Sequence, residues 1–125
     1  MVKKQRPVNL QLNTISFPPA AISSILHRVS GVVMLVLVGL LVWLLNQSLQ
    51  SPEGFAQAQS VFTHPLVKFL IWGFVAALGY HVLAGLRHMV MDLGFWEERE
   101  SGNVSAVVTI VLAVILAVLA GVWLW

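Results

Sequence analysis

Val104–Trp125 is a run of 22 residues without one charged side chain, and it decides what this chain is able to fold into. As a helix it would reach about 33 Å, and a bilayer's hydrocarbon core is about 30 Å thick. Two earlier stretches share its character: 20–46, with an unbroken apolar core over Val32–Leu45, and 65–91, which contains "FLIWGFVAALGYHVLAGL". In lipid every backbone N–H and C=O must find its partner inside the protein, so runs of this length become helices. The expected fold class is all-α: an integral membrane protein with three transmembrane helices. Composition agrees. Of 125 residues, 58% are hydrophobic and 10% charged, whereas a soluble domain is about half apolar and about a quarter charged.

The connection 47–64 is polar, with turn residues Ser51, Pro52 and Gly54; the connection 92–103 is acidic and closes on Ser101–Gly102. Lys3, Lys4 and Arg6 precede the first span, and Arg87 and Arg99 flank the second connection. The first connection holds no Lys or Arg, with Lys68 just inside the second span. The positive-inside rule then puts segment 1–19 and connection 92–103 in the cytoplasm and 47–64 in the periplasm. The C-terminus lies outside, with Trp123 and Trp125 anchored in the outer interface. The basic N-terminal stretch is followed too late by its apolar run, and by no small-x-small site, to read as a cleavable signal. A bacterial inner membrane is the expected location. Cysteine is absent, which excludes disulfides, thiolate zinc and iron–sulfur clusters held by this chain. The net charge of +2 is spread too thinly for a nucleic-acid surface.

Ionisable groups in or at the spans carry the functional information, because lipid makes them costly. Ser24, His27 and Arg28 stand at i, i+3 and i+4, so they share one helix face at the cytoplasmic mouth of the first span, with Gly31 close by. The second span runs the other way. Arg87 and His88 are therefore expected level with His27 and Arg28, and His81 about 9 Å deeper. His81 and His88 return to nearly one face, with Gly85 between them and Gly79 and Ala84 nearby. That face reads as the wall of a site for a flat ligand.

Plainer roles exist for each. The arginines can snorkel to lipid phosphates, His88 can be an interfacial residue, and His64 a loop residue. Ser23, Ser24 and Ser30 can bond back into their own helix or toward a neighbour, and the small residues can serve close helix packing. His81, inside an apolar run, fits such roles least, the plain alternative for it being a hydrogen bond to a neighbouring helix. Haem ligation, proton relay and ligand contact are the usual functions of a histidine so placed.

Haem b asks for an axial imidazole in an apolar cleft and cations for its propionates. His81 would be the ligand, with His27, Arg28, Arg87 and His88 clustered on its cytoplasmic side. One deep histidine implies that a second ligand comes from another chain. Pairing His27 with His81 is disfavoured on depth. A quinone asks for an apolar slot with a hydroxyl or a cation for its carbonyl, which Ser24 and Arg28 offer. Spacing leaves Arg28 open between propionate and quinone.

"SSILHRVSG" (23–31) and "HVLAGLRHMVMD" (81–92) together resemble the two signatures of the cytochrome b membrane-anchor subunit of succinate dehydrogenase, respiratory complex II. The upstream "KKQRPVNLQL" and the three-span plan are similar too, so the resemblance covers nearly the whole chain. It implies a non-flavin subunit of a succinate:quinone oxidoreductase, without stand-alone activity. Its partners would be a second small membrane-anchor subunit, an iron–sulfur subunit and a flavoprotein subunit. Succinate would be oxidised at the flavin, and electrons would pass through iron–sulfur clusters to ubiquinone, linking the tricarboxylic acid cycle to aerobic electron transport.

Carried over by motif position, His81 is an axial ligand of a haem b shared with the partner anchor. Ser24 and Arg28 line the ubiquinone site, and His27, Arg28 and His88 lie near the haem propionates. Asp92 falls where the family has an acidic residue close to the quinone region. "RPVNLQL" departs from the commoner R-P-x-S-P-H, which bears on docking to the soluble subunits. Three readings compete. A transporter with a His81–His88 relay needs acidic groups at mid-membrane, and every Asp and Glu lies outside the spans. A purely structural anchor would make His81 replaceable. Fumarate reductase anchors, the close relatives, run the same chemistry in reverse.

Overall fold

The computed structural model describes residues 10–125; Lys3, Lys4, Arg6 and most of "KKQRPVNLQL" lie outside the described residues. After a short 3-10 turn at Leu12–Thr14 come α1 (Pro19–Ser48), α2 (Pro52–Val61), α3 (Pro65–Asp92) and α4 (Arg99–Leu124). Among the described residues there is no strand. Three helices, α1, α3 and α4, are long and apolar enough to cross a membrane.

Proline sets the first turn of α1, α2 and α3, where its missing N–H is no loss and its fixed φ suits the helix. The 47–64 connection contains α2, a helix of its own. Ser51 caps it, accepting from the Gly54 N–H at 3.0 Å. In its first turn the Glu53 carboxyl is held below the usual carboxylate range by its own backbone N–H and then by the Ser51 hydroxyl. His64, expected as a loop residue, caps α3 through Nδ1, which accepts from the Leu66 N–H at 3.3 Å.

Helix α4 begins at Arg99, ahead of the apolar run. Two groups of its polar first turn bond back to Glu98 O, the Gly102 N–H at 2.8 Å and Ser101 Oγ at 3.2 Å. The turn before it passes through positive φ at Gly94 (87°) and Trp96 (58°). A Cβ on Gly102 would lie 3.0 Å from the Trp96 carbonyl oxygen. A side chain there would press on that carbonyl and make it give by a few tenths of an ångström.

The packing is that of a protein dissolved in lipid. Every buried apolar residue described is an alanine (Ala58, Ala84, Ala106, Ala113), whereas Leu35 is 74% exposed. Small residues allow helices to approach closely where leucine gains nothing by leaving an apolar solvent. Polar ties then fix the register. Trp72 Nε1 donates to Ala117 O at 2.8 Å, and Tyr80 Oη donates to Ser23 O at 2.7 Å. The Ala20 N–H reaches Asn103 Oδ1 at 3.3 Å. Helices α1, α3 and α4 pack on one another, most extensively α3 on α4, and α2 packs on α1.

Candidate functional site

Two glycines bring α1 and α3 together. A Cβ on Gly31 would sit 3.3 Å from His81 Cε1, and one on Gly85 would sit 3.7 Å from His27 Nε2. Level 31 therefore meets 81 and level 27 meets 85, so the two helices run antiparallel. Three imidazoles line the seam. His27 stacks on His81 with ring centroids 4.1 Å apart and planes 29° apart, and His88 lies 5.2 Å from His27 at 46°.

This corrects the depth assignment. His27 is not confined to a shallow layer away from His81; it stands between His81 and His88, in face contact with His81. Counting residues inward from each helix end carries no information on stagger, and the stagger here pairs His27 with Gly85 rather than with Arg87 and His88.

The hydrogen bonds around His81 assign its tautomer. Ser30 Oγ donates to His27 O at 2.8 Å. His81 Nδ1 is 3.0 Å from Ser30 Oγ and 3.2 Å from His27 O. A carbonyl only accepts, and the Ser30 proton is already directed at it, so the proton in these contacts belongs to Nδ1. Nε2 then carries the lone pair. Ser30 is buried, which protects this network from water. His27 differs: its Nε2 is buried and without a partner among the described residues. Such an atom carries a penalty of about 1–3 kcal/mol until something reaches it.

Ser24 is half-buried and Arg28 exposed at the same end of the seam. Neither hydrogen-bonds to another described residue, so their donors are open to an outside acceptor. Half-buried His88 completes the cluster, and exposed Asp92 is the last residue of α3. No group of three or more His, Cys, Asp or Glu is placed to hold a bare metal ion among the described residues.

Arg87 does not join the cluster. It is buried against α4, with Nε donating to Ser105 Oγ at 2.9 Å and Nη2 to Gly102 O at 3.0 Å. Adjacent helical residues project about 100° apart, so a helix that turns His88 toward α1 turns Arg87 toward α4. Ser105 and Gly102 were the sequence signal for this, small and polar at the start of an apolar run. Ser30 bonds both back into α1 and across to His81, the two options a serine there has; Tyr80 gave no signal of its own, because a hydroxyl's cross-helix partner is set by register.

Residues 2–120 match the family described as succinate dehydrogenase/fumarate reductase transmembrane subunit. The chain belongs to that family. This transmembrane subunit is 43% identical over 122 residues to the succinate dehydrogenase cytochrome b556 subunit of Coxiella burnetii, a match covering 97% of this chain and 98% of the relative. It is 38% identical over 114 residues to the Paracoccus denitrificans subunit of the same name, covering 91% and 88%. The succinate dehydrogenase cytochrome b560 subunit of Reclinomonas americana is 28% identical over 120 residues, covering 92% and 83%. An all-α, multi-pass membrane protein is thus both the family's architecture and the one the helices display.

Proposed function

We propose that this chain is the membrane-anchoring cytochrome b subunit of a succinate dehydrogenase, holding haem b through His81 and lining part of the site where ubiquinone is reduced. The observation that carries it is the pair of contacts that His81 Nδ1 makes with Ser30 Oγ and His27 O. Metal-ligating histidines donate one ring N–H to a fixed acceptor, which orients the ring and leaves the other nitrogen free for the metal. His81 Nδ1, aimed at Ser30 Oγ and His27 O, meets that requirement.

The residues present fit the group. His81 offers one imidazole lone pair, so the second axial ligand would come from the partner anchor. Gly31 and Gly85 let the His81 and His27 rings lie close against the opposite helix. The orphaned His27 Nε2, with Arg28 and His88, would supply donors and charge for the propionates. When bound, haem b supplies a one-electron carrier. The chain's own work is to hold His81 Nδ1 protonated, keep water from Ser30, and offer donors at the cluster.

At the quinone the Ser24 hydroxyl would donate to a carbonyl oxygen. The Arg28 guanidinium would favour negative charge arriving on that oxygen, an interaction that gains strength away from water. Asp92 is an acid at the same end. Electrons would come from succinate by way of flavin and iron–sulfur clusters in the flavoprotein and iron–sulfur subunits. Those subunits would sit on the cytoplasmic face, where the N-terminus and the 92–103 connection also lie, and the C-terminus would face the periplasm of a bacterial inner membrane. The family description spans both directions of the chemistry, but the relatives compared above are all named for succinate dehydrogenase, which favours succinate oxidation.

Co-expression with the partner subunits and purification through a tag on this chain tests the proposal. The expected product contains flavoprotein and iron–sulfur subunits, shows a b-type absorption band, and passes electrons from succinate to ubiquinone. A complex that reduces soluble dyes but never ubiquinone would overturn it.

Two substitutions probe the site geometry. Gly31→Leu should displace the His81 ring and strip most of the haem. Gly39→Leu on the same helix meets nothing within 4 Å and should leave the absorption band intact. Ser30→Ala leaves His81 Nδ1 only the longer contact to His27 O, so haem affinity should fall about tenfold, as for other losses of an orienting partner. Ser30→Thr should recover much of it, and haem-to-protein ratios after dilution report both.

A further inference from the structure

Arg87 is a buried cation without a counter-ion. It is 4% exposed, both acceptors it meets are neutral, Ser105 Oγ and Gly102 O, and it makes no ion pair among the described residues. A charge removed from water keeps most of its desolvation penalty until an anion reaches it. No described carboxylate forms an ion pair with it, Glu98 and Glu100 of the neighbouring groove included, so its charge is open to an anion from outside the chain.

Beside Arg87 the α3–α4 seam opens into a groove of about 720 Å³. It lies roughly half a helical turn from the His81–His88 face, so it is separate from the histidine cluster. Its long wall is apolar, with Leu86, Val108 and Leu112 along it, and Glu98 and Glu100 stand at its mouth. The mouth is also the first turn of α4, a 26-residue helix with no side-chain cap. The unsatisfied amides of such a turn attract oxyanions.

We propose that this groove binds a zwitterionic aminophospholipid. Its phosphodiester pairs with Arg87 and the α4 amides, its amine faces Glu98 and Glu100, and an acyl chain lies along Leu86, Val108 and Leu112. Each part answers a separate feature. Inorganic phosphate would satisfy Arg87 but leave the apolar wall unused. A headgroup of net negative charge would meet two carboxylates at the mouth.

The test uses the intact complex, exchanged into nanodiscs of equal phosphatidylethanolamine and phosphatidylglycerol and released for native mass spectrometry. The wild type should retain one lipid that Val108→Trp, which fills the groove and leaves Arg87 in place, does not. Phosphatidylethanolamine should be favoured about fivefold. Glu98→Gln with Glu100→Gln should erase that preference while lipid is still held, and millimolar inorganic phosphate should not displace it. Arg87→Gln should lose the lipid, and Val108→Trp carries the test if that variant does not assemble. Equal retention by wild type and Val108→Trp, or a preference for phosphatidylglycerol, overturns the proposal. So does a disulfide between Val108→Cys and a cysteine placed in a partner subunit, since it would show polypeptide in the groove.

Discussion

His81→Leu should remove the b-type band from reduced-minus-oxidised spectra of the assembled complex, with haem occupancy falling at least about tenfold. Leucine fills similar space but has no lone pair, and it abandons the bonds that Ser30 Oγ and His27 O make to Nδ1. His27 could take over only after its ring rotates. Its Nε2 faces α3 at Gly85 and is buried there, so it would have to turn out of the seam to reach a metal. The spectrum separates the readings. A lost or shifted band supports ligation by His81 with the partner anchor. An unchanged band refutes it and turns attention to His27. A wild-type complex that is intact yet shows no band leaves a cofactor-free anchor standing.

The parts of this protein that the sequence made legible are those governed by one helix at a time. Charge-free runs mark α1, α3 and α4 because lipid tolerates little else. The shared faces of Ser24, His27 and Arg28, and of His81 and His88, follow from helical periodicity alone. Helix α2 was legible in principle, since Ser51–Pro52–Glu53 is a cap, a first-turn proline and an acidic first turn; read as turn residues, they concealed a helix start. The early start of α4 was hidden by the polar composition of its first turn, where Ser101 Oγ bonds back to Glu98 O.

What depends on two helices at once was not legible. The stagger of α1 on α3 is set by contacts distant in sequence: Tyr80 reaching Ser23, Gly31 admitting His81, Gly85 admitting His27. Without that stagger His27 falls in the wrong layer. Arg87 was misplaced for a related reason. An arginine beside a histidine near the end of a span reads as part of one basic cluster, but consecutive helical residues face different neighbours, and Arg87 meets Ser105 instead.

Arg28→Leu should lower succinate-to-ubiquinone turnover by about two orders of magnitude, the usual effect of removing a donor that meets charge developing at a reacting oxygen. Ser24→Ala, which removes one neutral hydroxyl, should act more on KM, by about tenfold at most. Both side chains have donors that no other described residue uses, so their loss leaves no orphaned partner in the chain to destabilise the fold. Turnover with a soluble dye should stay unchanged in both variants, because succinate oxidation belongs to the partner subunits. Measured alongside the haem band, these rates also divide the two roles that spacing left open for Arg28. A fall in quinone turnover with the band intact assigns its guanidinium to the quinone. A fall in the band with quinone turnover intact assigns it to the propionates, and a parallel fall assigns it to both. Arg28→Lys keeps the charge but loses the planar fork. It should therefore restore more of an electrostatic role at the quinone than of a bidentate one at a carboxylate.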